Sequence, residues 1–140
     1  MIVVLGCSVV LAMNMPDEWS PYAAMTASIA RAGQAIVPAH WQVEIANSLL
    51  VAHRKNRIVQ SQLKSIMAAI GQISRETEAS AFESLRDAVV PLALKHRLTV
   101  YDAIYLEVAT RRAALLATLE KELAGAAREE GAYPSANTSI

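Results

Sequence analysis

The sequence predicts an α/β domain with a short, mostly parallel central sheet and helices on both faces. Short apolar runs rich in β-branched residues alternate with longer segments whose apolar residues recur at helical spacing. This alternation is typical of parallel strands joined by crossover helices. The chain has 140 residues and 54% apolar content, which suits one domain with a substantial core.

The predicted strands are the brief apolar runs. Ile2 to Leu5 is typical of a strand buried on both faces. Similar runs at 35–37 and 114–118 predict two more strands, and 72–78 predicts a weak edge strand.

The predicted helices follow from apolar periodicity and from residues that start or stop helices. Ser20 is a natural N-cap with Pro21 in the first helical position, and Gly33 suits a left-handed residue after that helix. Pro38 is expected to open the longest helix, and Ser80 to cap a later one. The predicted helices span 8–14, 21–31, 39–55, 59–70, 80–95, 98–112 and 120–130.

Side-chain spacing within three of these helices makes further predictions. In the helix at 39–55 the inward stripe consists of Trp41, Ile45, Leu49 and Ala52, widened by Ala46 and Leu50. Thr99 with Asp102 resembles a capping box, Glu107 with Arg111 makes an i,i+4 pair on the outward face, and Gly131 stops the last helix.

Composition limits the class of protein. The uncharged start, Met1 to Met15, is too short to span roughly 30 Å of hydrocarbon and lacks the basic start of a secretory signal. Cys7 is the single cysteine, so a reduced, cytoplasmic setting is expected. The zero net charge argues against binding nucleic acid by bulk electrostatics but leaves open a nuclease that holds phosphate through metal ions. We expect one domain at 1–131 and a loose tail at 132–140.

Three acids are predicted at the carboxyl end of the sheet, where parallel α/β folds place their sites. Glu44 lies near the start of the helix after the second strand, Asp102 begins a late helix, and Glu120 follows the strand "ALLAT". Each also has a plain structural interpretation. Asp102 could serve only as a helix cap worth about 1 kcal/mol. Glu44 could belong to an ordinary solvated helix face, and Glu120 could complement the helix dipole.

The shared location of these acids favours a metal site. Clustered carboxylates repel one another and need a compensating cation. Mg²⁺ and Mn²⁺ prefer oxygen ligands, and one or two such ions can promote hydrolysis of a phosphodiester. Hydrolysis of nucleic acid is therefore the favoured reaction class.

Four stretches of the chain resemble one family closely. They are "VLGCSVVLAMNMPDEWSPYA", "VPAHWQVEIANSLLVAHRKNRI", "LTVYDAIYLEVA" and "LLATLEKEL", and together they resemble the PIN-domain toxins of bacterial VapBC toxin–antitoxin pairs across nearly the whole chain. The resemblance implies a PIN-like fold and a metal-dependent endoribonuclease that uses Mg²⁺ or Mn²⁺. It also implies an RNA substrate, a VapB-like antitoxin that docks over the site, and a homodimer.

The resemblance also implies roles for individual residues. Glu44 in "WQVEIAN" resembles the family's second acid and Asp102 in "VYDA" its third. Glu120 in "ATLEKEL" lies where the family usually has Asp, so its carboxylate reaches one methylene further. Ser8 and Thr118 match the supporting hydroxyl positions.

Gly6 is the departure from the family pattern. The family usually carries its first acid at the end of strand one, where this chain reads "VLGCS". Either a natural change or an introduced substitution would put glycine there. Without that carboxylate we expect weak metal binding and little or no cleavage. The competing interpretation is an inactive PIN-like binding module that holds an antitoxin or a second copy of itself.

Other chemically interesting residues have simpler interpretations. Cys7 is expected to be a buried small residue, because no Arg or His follows at a spacing that would activate its thiol. Tyr101 and Tyr105 flank Asp102, and core packing or hydroxyl bonding to a neighbour is expected of both, with stacking on an RNA base as the lesser alternative.

Overall fold

The fold is a four-stranded parallel sheet surrounded by helices, as the sequence predicts. A computed structural model describes residues 1–134. The strands are β1 (Ile2–Leu5), β2 (Gln34–Pro38), β3 (Glu76–Glu78) and β4 (Leu115–Ala117). The helices are α1 (Cys7–Asn14), α2 (Pro21–Ala32), α3 (Trp41–Arg54), α4 (Gln60–Gly71), α5 (Phe82–Ser84), α6 (Val90–His96), α7 (Val100–Arg111) and α8 (Lys121–Glu129), with a π-helical turn (Leu85–Val89) between α5 and α6.

The sheet has the strand order β3-β2-β1-β4, and every pairing is parallel. Val3 pairs with Ala35 on one side and with Leu115 on the other, so β1 is central. Consecutive residues of β1 are buried, which requires cover on both faces of the sheet. Helix α2 packs against β1 and β2, and α7 packs against β1, β2 and β4.

The turn from α2 to β2 corrects one sequence prediction. Ser20 caps α2 as expected, its hydroxyl accepting the Ala23 N–H at 3.2 Å. Gly33 follows the helix, but its φ of −125° is not left-handed. The glycine is needed for space instead, since a Cβ there would collide with the carbonyl oxygen of Met1.

The buried face of helix α3 is narrower than the sequence predicts. Trp41, Ile45, Leu49 and Ala52 form the inward stripe. Ala46 and Leu50, which were expected to widen the stripe, are exposed. Pro38 does not open this helix, because it is the last residue of β2 and the Ala39 N–H bonds to the Glu78 carbonyl of the edge strand.

The predicted single helix at 80–95 is interrupted. Ser80 is not its cap, since α5 begins after Ala81, which has no capping side chain. The π-helical turn lies just before Pro91, which has no N–H to donate and whose ring displaces the carbonyl one turn earlier. A wider turn relieves that conflict.

Helix α7 is anchored to the edge strand by charged groups. Glu107 is 7% exposed, so its predicted position on the outward face is wrong, although its pairing with Arg111 is confirmed at 2.7 Å. Arg111 also binds Glu78 at 2.6 Å, and Arg112 binds Glu76 at 3.0 Å. These arginines cover the acidic edge strand β3.

We expect Glu107→Gln to destabilise the fold by about 1–3 kcal/mol, because a buried charge-assisted hydrogen bond to Arg111 is lost. Glu76→Gln is the matched control, since its pair with Arg112 lies at the surface, where ion pairs add little to stability. Urea unfolding of both variants measures the difference. Equal losses would show that Glu107 acts as an ordinary surface acid.

The chain after α8 packs back onto the sheet. Gly131 ends the helix with a φ of +72°, as the sequence predicts. Ala132 is buried and accepts the Leu116 N–H at 2.6 Å, and the Tyr133 ring stacks on Tyr22. The first described residues of the predicted loose tail are therefore packed, and 135–140 lie outside the described residues.

Candidate functional site

The candidate site lies at the carboxyl end of the sheet, where the connections after β1, β2 and β4 meet the start of α7. Asp102 is in the first turn of α7, where the Thr99 hydroxyl accepts its N–H at 3.2 Å. That bond confirms the threonine half of the predicted capping box. Because Thr99 caps the helix, the Asp102 carboxylate is free for another role.

Glu120 is held at the start of α8 by a polar turn. The Glu120 N–H donates to Thr118 Oγ1 at 3.1 Å, and the Leu119 N–H donates to Ser8 Oγ at 2.9 Å. The Ser8 and Thr118 hydroxyls are themselves 3.3 Å apart. Both supporting residues from the sequence therefore fix the turn that carries Glu120.

Two tyrosines that the sequence analysis missed clamp the same turn. The Thr118 N–H donates to the Tyr22 hydroxyl at 3.3 Å, and the Tyr133 hydroxyl donates to the Thr118 carbonyl at 3.2 Å. Their rings stack with centroids 5.5 Å apart, and Arg128 lies over Tyr133. No local pattern signals this clamp, because the partners come from the start of α2 and the segment after α8.

Asp102 and Glu120 come together. Loss of hydration around the carboxyl group, a hydrogen bond with the Asp102 carboxyl group and the negative charges of Asp102 and Glu44 raise the pKa of Glu120 to about 7. The Glu120 residue as a whole is exposed. The loss of hydration and the neighbouring charges therefore concern its carboxyl group alone. A nearby negative charge disfavours ionisation of a second carboxyl group, which is why the closeness of Asp102 contributes to this rise in pKa.

Glu44 lies nearby but is held by its own neighbours. Its Oε1 accepts the Tyr105 hydroxyl at 2.6 Å. His40 Nε2 lies 3.2 Å from the same oxygen, close enough for an ion pair but without hydrogen-bond geometry. The charge of Glu44 reaches Glu120, Tyr105 and Cys7, each of whose pKa it raises.

Tyr105→Phe is expected to loosen Glu44 and to lower the affinity for Mn²⁺ by about 10-fold or more, as losing a group that orients a ligand commonly does. Isothermal titration calorimetry measures that affinity. Tyr101→Phe is the control, because it removes an exposed hydroxyl on the same helix that does not contact Glu44. Unchanged affinity in Tyr105→Phe would exclude Glu44 from metal binding.

Gly6 sits where β1 runs closest to β4. Its N–H donates to the Ala117 carbonyl at 2.8 Å, which extends the parallel pairing by one residue. A Cβ at Gly6 would lie 2.7 Å from that oxygen and 3.4 Å from Thr118 Cβ. A side chain therefore fits only if the backbone of β4 shifts.

Cys7 is an inert thiol, in agreement with the sequence prediction. It is buried, and its Sγ lies 3.8 Å from Ser48 Oγ. Burial and the negative charges of Glu44 and Glu120 raise the pKa of the thiol to about 12. A thiol with so high a pKa is not a nucleophile at neutral pH.

Comparison with known proteins identifies the family. No family model matches the sequence. Ribonuclease VapC3 from Pyrobaculum aerophilum is 30% identical over 122 residues, which are 86% of this chain and 91% of that protein. The chain belongs to the VapC ribonuclease family.

A solved structure shares the fold of this chain. The crystal structure of PAE2754 from Pyrobaculum aerophilum matches with a TM-score of 0.69 at 19% identity, over 90% of this chain and 79% of that chain. At this identity the likeness supports the α/β fold alone. Within residues 1–134, no helix has the length and apolar character needed to cross a membrane.

The donor set of this VapC chain suits a hard cation bound through few protein oxygens. Among the described residues, no three His, Cys, Asp or Glu side chains are already arranged around one metal position. Asp102 and Glu120 nevertheless form a close carboxyl pair. Mg²⁺ often binds through one or two carboxylates and keeps several waters, so the pair fits such an ion, with Glu44 able to contribute at the side.

Proposed function

We propose that this chain is a VapC-type toxin, an endoribonuclease that binds Mg²⁺ or Mn²⁺ through Asp102 and Glu120 with help from Glu44. The observation that carries the proposal is the close approach of the Asp102 and Glu120 carboxyl groups, which contributes to the raised pKa of Glu120. Such a pair has no structural benefit of its own, because two acids that crowd each other destabilise the metal-free fold. Family membership supplies RNA as the substrate.

The protein groups of the site have separate roles in this proposal. A bound ion would stabilise negative charge that develops on the phosphodiester during hydrolysis. Asp102 and Glu120 hold the ion, and Tyr105 keeps Glu44 turned toward the pair. Ser8, Thr118 and the tyrosine clamp fix the turn that carries Glu120, so that its carboxyl group stays close to that of Asp102.

Cleavage is expected to be impaired because Gly6 offers no carboxylate. The remaining acids leave one side of the ion to water, and the attacking oxygen is then poorly positioned. Gly6 also supports a second candidate function, in which the chain is an inactive binding module. The backbone at Gly6 lies so close to the Ala117 carbonyl that there is no room for a side chain unless β4 shifts.

Cleavage of structured RNAs in Mn²⁺ by this chain and by Asp102→Asn distinguishes the two functions. The enzyme is used in excess over RNA so that slow turnover is visible. Slow cleavage that disappears in Asp102→Asn and with EDTA supports the impaired nuclease. No cleavage by either protein, together with Mn²⁺ binding by the unsubstituted chain, supports the binding module. Equal cleavage by both would rule out the proposed site.

A VapB-like antitoxin is the proposed protein partner. A groove of about 1060 Å³ runs beside α2. Its walls include Trp19, Ala23, Ala27 and Ala30, and Arg31 lies at its rim. An amphipathic helix docks into grooves of this kind. Ala27→Trp fills the groove and should weaken binding of a VapB-like antitoxin by about 10-fold or more, whereas unchanged binding would place the antitoxin elsewhere.

A homodimer is the proposed assembly. Leu94 is 76% exposed and Val90, four residues earlier on α6, is 39% exposed. Phe82 on α5 is 73% exposed, so apolar surface continues along this region. Light scattering of the purified chain should give a dimer mass that Leu94→Lys reduces to that of a monomer, and a monomer mass for both proteins would refute the assembly.

A further inference from the structure

Three aromatic side chains form a cluster next to the acids, since Tyr105 bonds to Glu44 and Tyr101 precedes Asp102. Tyr105 meets His40 edge to face with ring centroids 5.1 Å apart, and His40 meets Tyr101 at 5.9 Å with the planes tilted by 53°. Tyr105 is 2% exposed, whereas Tyr101 is 65% exposed. The cluster therefore runs from the core to the surface and ends in an open ring.

The exposure of Tyr101 differs from what the sequence predicts. Core packing or a hydroxyl bond was expected of both tyrosines, and Tyr105 fulfils both parts. Tyr101 is at the surface, and its hydroxyl has no hydrogen-bond partner within residues 1–134. Neither the core nor a hydroxyl bond explains an aromatic side chain at this position.

Tyr101 lies next to the acids of the candidate site. It belongs to the first turn of α7 and directly precedes Asp102. His40, which directly precedes α3 and contacts Glu44, packs against the Tyr101 ring. The exposed aromatic face of Tyr101 therefore lies beside the acids, on the same helical turn as Asp102.

We propose that Tyr101 stacks on an unpaired base of single-stranded RNA, next to the phosphate that the carboxyl pair addresses. This inference rests on the nuclease function proposed above. Every base has a face that stacks on an aromatic ring, so the contact tolerates different sequences. Bases inside a duplex are already stacked, so the subsite selects loops and single strands. With zero net charge, the chain lacks the electrostatic attraction that usually dominates RNA binding, so stacking carries a larger share of the affinity.

The test compares RNA binding by variants that keep or remove the aromatic face. A fluorescein-labelled single-stranded RNA of mixed sequence is titrated in Ca²⁺, and a gel confirms that it stays intact. Tyr101→Leu keeps an apolar side chain without the ring, and Tyr101→Phe keeps the ring without the hydroxyl. Fluorescence anisotropy should give a dissociation constant about 5- to 30-fold weaker for Tyr101→Leu and nearly unchanged for Tyr101→Phe.

A set of abasic RNAs provides the matched control on the ligand. Removing one base at a time should weaken binding to the unsubstituted chain at one position and leave binding to Tyr101→Leu unaffected there. If RNA binds but neither the leucine variant nor any abasic RNA binds more weakly, the stacking inference is overturned and the nuclease proposal stands. If no RNA binds to any of the proteins, both proposals fail. Circular dichroism verifies that the variants fold.

Discussion

Gly6→Asp should increase Mn²⁺ affinity by about 10-fold and accelerate RNA cleavage, while making the metal-free protein less stable. The new carboxylate would give the ion a further protein ligand beside Asp102 and Glu120. The loss of stability has two causes. The Cβ would press on the Ala117 carbonyl at 2.7 Å, and a further negative charge would join a crowded acidic site.

Gly6→Ala separates these two causes. Alanine brings the same Cβ without a carboxylate, and we expect it to cost about 1–3 kcal/mol through overpacking against β4. Its Mn²⁺ affinity should not exceed that of the unsubstituted chain. Chemical unfolding with and without Mn²⁺ gives the comparison. Gly6→Asp should be the less stable of the two without metal, and Mn²⁺ should reverse that order.

Two outcomes would contradict this account of Gly6. If Gly6→Asp binds Mn²⁺ no better than Gly6→Ala, the end of β1 does not face the ion. If the unsubstituted chain cleaves RNA as fast as Gly6→Asp, the three remaining acids suffice and the glycine has no effect on catalysis.

Glu120→Gln should stabilise the metal-free protein at pH 8 and abolish Mn²⁺ binding. The pKa of Glu120 is raised from 4.5 to about 7 in the folded chain, so the folded state holds a proton more tightly than the unfolded chain does. The stability from this group is fully present below about pH 4.5 and is lost as the pH rises through about 7. Glutamine removes that loss because it carries no charge at any pH.

Thermal unfolding of the two proteins from pH 4.5 to pH 8 in EDTA tests this prediction. The melting temperature of the unsubstituted chain should fall relative to Glu120→Gln across this range, and Mn²⁺ should raise it again at pH 8. Glu83→Gln is the control, since Glu83 is exposed and does not contribute to the raised pKa of Glu120. A constant difference across the pH range would show that Glu120 is an ordinary surface acid.

The sheet and its site edge are predictable from the sequence because their causes are local. A short β-branched run such as Ile2–Leu5 can be buried on both faces only in a covered sheet, and Ser20 with Pro21 specifies a helix start. The placement of Asp102 beside Glu120 follows from the same topology. Parallel strands bring their following connections to one edge whatever the side chains are.

Other features depend on contacts that no local pattern encodes. The clamp on Thr118 joins three distant segments through Tyr22 and Tyr133. Burial of Glu107 follows from the arginines that tie α7 to the edge strand, and helical periodicity alone assigns it to the surface. The tight approach at Gly6 depends on how closely β4 pairs with β1, which spacing in the sequence does not give.

Calorimetric titration of Mn²⁺ into the unsubstituted chain and into Asp102→Asn tests the central claim most directly, because it needs neither the right RNA nor a completed catalytic site. The account predicts weak but measurable binding, of the order of one ion per chain, that disappears in Asp102→Asn while the fold is retained. Binding of equal strength to both proteins would contradict the account, since the ion would then lie away from the Asp102 and Glu120 pair.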